Sequence, residues 1–265
     1  MRLKISHTTR YAFERPVSYG FQQLRITPKP VRAQSVLHWT TTIFGGTKEL
    51  AYEDYNNNRV ELISFDRHVE ELTIRAEGEV EIAETHGVVG PHFGPAPLWL
   101  YQRTTKRTRA GAGCRALLKQ VEGDTLLSRL HFLSALILDE VAYETGSSTS
   151  DSSAEDAITE GKGVCQDHAH IMIACAREMK LPARYVSGYL MLDDRTAQEA
   201  THAWAEAYLE GLGWVGFDVS NGISPDIRYV RVATGMDYAE AAPITGTRVG
   251  GEGESLSVEI EVAQQ

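Results

Sequence analysis

Gly161-Lys162-Gly163-Val164-Cys165-Gln166-Asp167-His168-Ala169 holds a turn, a helix start and a thiol in one short stretch. Just upstream, Ser153-Ala154-Glu155-Asp156 has the capping-box pattern of a helix start, and Gly161 is where that short helix should stop. Just downstream, Ala169, Met172, Ile173, Ala176 and Met179 are small or apolar at helical spacing. A second helix therefore begins at Val164 or Cys165 and is closed by Lys180-Leu181-Pro182. The pattern predicts a core helix with a cysteine at its mouth. A thiol in the first helical turn meets unpaired backbone N–H groups and the positive end of the helix dipole, both of which favour the thiolate.

The next elements outward are strands. One is predicted from Arg184 to Leu192. A second, Thr201 to Leu209, alternates His202, Trp204, Glu206 and Tyr208 against Ala203, Ala205, Ala207 and Leu209. Glu210-Gly211-Leu212-Gly213 turns the chain into Trp214 to Val219, where Trp214, Gly216 and Asp218 alternate with Val215, Phe217 and Val219. Matching the aliphatic faces across this hairpin requires an odd effective loop length, which sets His202 and Asp218 on one side of the sheet. If the His202 face packs across the helix mouth, the imidazole can take the Cys165 proton and return it to a leaving amine while Asp218 orients the ring. The Cys165 N–H supplies one oxyanion donor. Glu206 is the next carboxylate in line should Asp218 face away.

Toward the N-terminus the period changes. Residues 1–85 run in short alternating stretches, from Leu3/Ile5 to Val80/Ile82, with turn chemistry at Arg15-Pro16, Pro28-Lys29-Pro30, Gly45-Gly46 and Asn56-Asn57-Asn58. This is the pattern of an antiparallel β module or sandwich. His86 to Pro97 is rich in Gly and Pro and marks a domain junction. Between Trp99 and Val121 lie Arg103, Lys106, Arg107, Arg109, Arg115 and Lys119 with no acidic residue, read as a solvated segment pairing with acidic faces elsewhere. Asp124 is the expected N-cap of an amphipathic helix carrying Leu126, Leu127, Leu130, Leu133, Ile137 and Val141, stopped by Gly146.

The composition narrows the classes. A chain of 265 residues with 42% hydrophobic and 23% charged residues has material for a real core, as one large domain or two small ones. Its net charge of −10 argues against a general affinity for nucleic acid or anionic membrane, and no apolar stretch approaches the roughly 20 residues that cross a bilayer. The first ten residues contain no apolar h-region, which makes the cytoplasm the default address. Of the three cysteines, Cys165 and Cys175 share one helix about 15 Å apart, so no disulfide joins them.

Three contexts, Gly161 to Ala169, Thr201-His202-Ala203-Trp204-Ala205-Glu206 and Gly213-Trp214-Val215-Gly216-Phe217-Asp218, resemble the core motifs of the transglutaminase-like superfamily. Arg184 to Tyr189, the opening β region and the tail from Arg231 to Gly246 are similar to bacterial members that carry an N-terminal β region. The resemblance implies an α+β fold with a papain-like core, a helix-borne cysteine packed on an antiparallel sheet carrying histidine and aspartate. It implies the division 1–85 (β module), 86–122 (connecting segment) and 123–265 (catalytic core with C-terminal tail). It also implies a Cys165 nucleophile, a His202 general base and an Asp218 orienting carboxylate. The reaction is acyl transfer through a thioester on a protein or peptide amide, with no cofactor. Hydrolysis is favoured over amine transfer, because no motif marks a water-excluding acceptor channel. The rival is a catalytically idle interaction module, against which the intact triad counts. Oligomeric state has no signature.

Other candidates carry weaker signals. Tyr143 is the nearest aromatic oxyanion donor upstream of Cys165, with packing the competing role. Trp204 and Trp214 could floor a substrate groove or pack across strands. His168 and His170 lie on different helix faces from one another relative to Cys165 and form no metal set. Cys175 reads as apolar filler, Cys114 as incidental in a Gly-Ala-Gly-Cys loop, and Asp193-Asp194 completes no calcium loop.

Overall fold

The alternation read at the N-terminus becomes a single strand of 23 residues, β1 (Arg2–Leu24). The computed structural model describes residues 1–265. After β1 come β2 (Gln34–Phe44), β3 (Gly46–Glu53), β4 (Arg59–Phe65), β5 (Val69–Ile82), β6 (Val88–Gly90), α1 (Ala112–Gln120) and α2 (Leu126–Glu140). There follow β7 (Ala142–Tyr143), α3 (Ala154–Glu160), β8 (Lys162–Gly163), α4 (Cys165–Glu178), β9 (Ala183–Leu190), β10 (Ala197–Gln198), β11 (His202–Leu209) and β12 (Gly213–Phe217). The chain ends in β13 (Tyr229–Gly235), α5 (Tyr238–Ala241), β14 (Ile244–Gly250) and β15 (Ser255–Gln264).

The first sheet is eight-stranded and built around β1. The chain does not turn at Arg15-Pro16 as expected. Pro16, which has no N–H to give a ladder, lies where the pairing of β1 with β5 is interrupted between Ala12 and Val17. The strand continues past this irregularity and changes partners. Its first half lies between β5 and β15, its second half between β4 and β14. The C-terminal tail thus belongs to the first sheet and not to the core, a correction to the expected division at residue 123. Ile260 and Val262 reach the same cluster as Leu3 and Ile5, a pairing across most of the chain that no local pattern announces.

The second sheet has the order β13-β9-β11-β12-β6, all antiparallel. Helix α4 covers the face of Ala203, Ala205, Ala207 and Leu209, joined in one large core by α1, α2 and α3. On the first-sheet side, Tyr189, Val230 and Val232 pack with Leu3, Ile5, Val80 and Ile82. Helices, five-stranded sheet and first sheet therefore stack as three layers, an α+β architecture with β9 and β12 buried throughout.

Local signals hold at most helix ends. Ser153 and Asp156 form the capping box of α3, and Gly161 ends it in the left-handed region at φ 67°. For α2 the cap is Thr125, not Asp124, because Thr125 and Ser128 exchange the reciprocal bonds of a capping box. Helix α1 stands where the Gly-Ala-Gly-Cys run suggests a loop. Its N-terminus has no side-chain cap of its own; instead Glu155 of α3 accepts from the N–H groups of Gly111 (2.7 Å), Gly113 (2.9 Å) and Cys114 (2.9 Å). Cys114 is consequently a core residue beside Cys175, whose thiol points at the Cys114 carbonyl at 3.8 Å. Within the basic segment, Arg107 pairs with Asp151 at 2.8 Å and Arg115 lies 3.9 Å from Glu178.

Candidate active site

The Gly161–Cys165 run builds the helix mouth. Gly161 supplies the left-handed exit from α3, and Lys162–Gly163 then pairs in parallel with Ala142–Tyr143. A Cβ on Gly163 would sit 2.7 Å from the Cβ of Asp167, so only glycine lets the chain pass this close. Asp167 uses that proximity: its Oδ2 accepts from the Val164 N–H at 2.8 Å and from Ser148 Oγ at 2.5 Å. Cys165 is the first helical residue, where an N–H has no intrahelical acceptor. Its side chain retains 8% exposure, whereas Cys114 and Cys175 are fully buried.

His202 opens β11 as Cys165 opens α4, and the two ends meet. Helix α4 packs on the alanine face of the strand, not on the His202 face, so contact is made at the strand's end rather than across its surface. There the His202 ring is hydrogen-bonded to Asp218, and its protonation is coupled to Cys165. His202 Nε2 lies 2.6 Å from Asp218 Oδ2, which leaves Nδ1 as the nitrogen for the thiol. The hairpin register pairs Ala205 with Phe217 and Tyr208 with Trp214, which places Asp218 on the His202 side as the strand matching predicts. Glu206 is not a spare carboxylate: it is buried between Arg184, at 2.7 Å, and Arg231.

Asp218 is fully buried, and its carboxylate is saturated. Oδ2 also accepts from Asn221 Nδ2 at 2.7 Å and the Tyr229 hydroxyl at 2.7 Å, while Oδ1 faces the Asn221 N–H at 3.3 Å. Burial opposes its ionisation, but the His202 bond and charge, with Asn221 and Tyr229, hold its pKa below the ordinary carboxylate value. Burial likewise works against a charged His202; the bonds and charges of Asp218 and Cys165 outweigh it and raise the imidazole to about 10. The pair favours imidazolium beside carboxylate.

Tyr143 stands on β7 opposite Gly163, half-exposed at the helix mouth. Burial first, then the Cys165 and Asp218 charges, raise its phenol, which stays protonated and able to donate. Trp204 and Trp214 are both held in packing contacts. Both are 1% exposed, because their face of the sheet is covered: Trp204 packs with Val186, Leu190 and Tyr229, and Trp214 with Tyr101 under the Arg184 guanidinium. His168 bridges elements: Nε2 meets the Val141 carbonyl at 2.9 Å and so carries the proton, and Nδ1 accepts from Ser220 Oγ at 2.8 Å. No group of three or more His, Cys, Asp and Glu side chains converges as a metal-ligand set. Asn221 and Tyr229 were missed. Asn221-Gly222 is a readable turn signal beside Asp218, whereas Tyr229 lies on a strand that only the sheet order brings near.

Two family models match the chain in succession. Residues 3–81 match the bacterial transglutaminase-like N-terminal region, and residues 115–219 match the core of the transglutaminase-like superfamily, the stretch that holds Cys165, His202 and Asp218. The chain belongs to the transglutaminase-like superfamily. This transglutaminase-like chain is 27% identical over 281 residues to an uncharacterized protein of Mycobacterium leprae, covering 99% of both. It is 36% identical over 131 residues to an uncharacterized protein of Mycobacterium tuberculosis H37Rv, covering 46% of this chain and 42% of that one. A crystal structure from Cytophaga hutchinsonii, provisionally named a cysteine protease, superposes with a TM-score of 0.81 at 22% identity over 99% of this chain and 90% of that one. The likeness extends the shared fold across both sheets.

Proposed function

We propose that this transglutaminase-like protein is a thiol enzyme that acts on amide bonds of peptides, glutamine side chains or isopeptides through a thioester on Cys165. The observation that carries the reading is the buried His202–Asp218 pair, 2.6 Å apart, together with Cys165 as the first residue of α4. Transfer of the Cys165 proton to His202 Nδ1, favoured by Asp218 because it stabilises the imidazolium so formed, precedes attack of sulfur on the carbonyl carbon. The oxyanion that forms meets the Cys165 N–H, with the Tyr143 hydroxyl as second donor from β7. The imidazolium then gives its proton to the leaving nitrogen as the C–N bond breaks, and the amine or ammonia departs. Water, deprotonated by His202, attacks the thioester carbon; the acid is released and the thiol restored.

Hydrolysis prevails over amine transfer in this reading, because Tyr143 at the helix mouth is 52% exposed. A rim this open admits water to the acyl carbon. No cofactor takes part, and the substrate is a protein or peptide. The provisional name of the Cytophaga structure agrees with this class. The test is mass spectrometry of a peptide library incubated with the protein, with and without a primary amine. Cleaved amides or glutamine converted to glutamate, lost in Cys165→Ala, is the expected result. An active Cys165→Ala variant refutes the thiol mechanism, and amine incorporation in excess of acid refutes the preference for water.

A further inference from the structure

Strand β13 is an edge of the second sheet, separated from β11 by β9. Its first residue, Tyr229, is 5% exposed, yet the hydroxyl reaches across β9 to Asp218. The crossing is open because β9 has Gly188 opposite His202 and Arg231. A Cβ there would lie 2.1 Å from the Val230 carbonyl oxygen and 2.7 Å from Trp204 Cη2. Over this gap the Tyr229 ring meets Trp204 edge to face with centroids 5.4 Å apart, and the His202 ring at 5.9 Å. Trp204 in turn stacks near-parallel on His202, centroids 6.3 Å apart. Tyr229 therefore touches the carboxylate, the imidazole and the ring that backs it.

The outer edge of β13 is held by the first module. Its pairing with β9 shifts register between Arg231 and Ala233, and Gln34 bonds the Arg231 backbone beside this irregularity. Gln34 Oε1 accepts from the Arg231 N–H at 2.8 Å, and Gln34 Nε2 donates to the Arg231 carbonyl at 2.7 Å. Three residues on, Asn58 makes the same paired contact with Thr234, accepting from its N–H and donating to its carbonyl, each at 2.8 Å. Lys29 Nζ adds a bond to Thr234 Oγ1 at 2.9 Å. Side-chain amides from residues 34 and 58 thus stand where a neighbouring strand would.

We propose that Tyr229 is a positioning residue that fixes Asp218 against His202, and that the first module serves the site by holding the strand that carries Tyr229. The proposal rests on the thiol chemistry above for its consequence in turnover, but its test does not need a substrate. The ionisable groups around Asp218 are His202, Tyr229, Cys165, Tyr143 and His168, and Tyr229→Phe alters one of these while keeping its ring. The probe is iodoacetamide, with the rate of Cys165 alkylation followed by peptide mapping from pH 5 to 10.

Loss of one donor to a buried carboxylate should slow alkylation at pH 7 by about 10-fold and displace the pH profile. Gln34→Leu should act in the same direction, and Thr234→Val serves in its place if that variant does not fold. In the Tyr229→Phe background either effect should shrink, because the tie acts through the hydroxyl. Unchanged or faster alkylation in Tyr229→Phe overturns the positioning role. An undiminished Gln34 or Thr234 effect in that background overturns the link to the first module. If no amide is turned over by the wild-type chain while Tyr229→Phe still slows alkylation, the proposed reaction fails and the positioning role stands.

Discussion

Asp218→Asn keeps the size of the side chain and removes its charge. Oδ2 of Asp218 accepts from His202, Asn221 Nδ2 and Tyr229 at 2.6, 2.7 and 2.7 Å, and Oδ1 faces the Asn221 N–H at 3.3 Å. An amide has one acceptor oxygen; turned toward the three donors, its NH2 meets the Asn221 N–H, donor against donor. Hydrogen bonds to a charged group contribute about 1.5–3 kcal/mol each, and the amide retains part of them, so the folded state should lose about 2–4 kcal/mol. At about 2–4 °C per kcal/mol for a chain of this size, Tm should fall by roughly 5–15 °C.

The sharper consequence is at His202. Burial alone would pull the imidazole below its ordinary 6.5, and Asp218 together with Cys165 carries it to about 10. That rise corresponds to about 5 kcal/mol as an order-of-magnitude ceiling, shared between the two partners. With the Asp218 charge gone, the midpoint should drop by at least about 2 pH units. Ring-selective NMR titration of the histidines, with His202 assigned by substitution, reads it directly. A midpoint that stays near 10 in the folded variant would refute the reasoning that Asp218 keeps His202 charged.

Other outcomes follow from the same geometry. Brief iodoacetamide treatment near neutral pH should label Cys165 ahead of Cys114 and Cys175; both are fully buried, and the bond to Cys175, burial and Glu155 keep the Cys114 thiol protonated. Earlier labelling of either would contradict the site. Glu155→Ala removes the acceptor for three α1 amides and should cost about 1–2 kcal/mol, with faster amide exchange at Gly113 and Cys114; unchanged exchange there would show that α1 does not depend on this cap. Stability should also follow pH through the His202–Asp218 pair. The raised His202 pKa contributes fully below about 6.5 and is lost as pH rises through about 10, while the lowered Asp218 pKa contributes above about 3.8 and is lost as pH falls through its folded value. A denaturation midpoint that peaks between about pH 4 and 6.5 in the wild type and flattens in Asp218→Asn is expected; equal slopes in both would count against it.

The candidate site residues were legible because their structural signals are local. Gly161, Gly163 and Cys165 announce a left-handed exit, a close approach and a helix mouth within five positions, and the strand alternation around His202 and Asp218 admits one register that buries the alanine face. Those constraints act between residues near in sequence, where sterics and hydrogen-bond geometry leave few choices. The long-range decisions were not legible. Nothing local says that β15 returns to β1, that Glu155 caps a helix more than 40 residues earlier, or that Trp204 packs on Tyr229 and Trp214 on Tyr101. A strand shows which of its faces is apolar but not what covers the other, and a helix without its own cap shows no sign of a donated one. Tyr229 belongs to the same class: its hydroxyl meets Asp218 only because sheet order, the Gly188 gap and the ties from Gln34 and Asn58 bring an edge strand to that carboxylate.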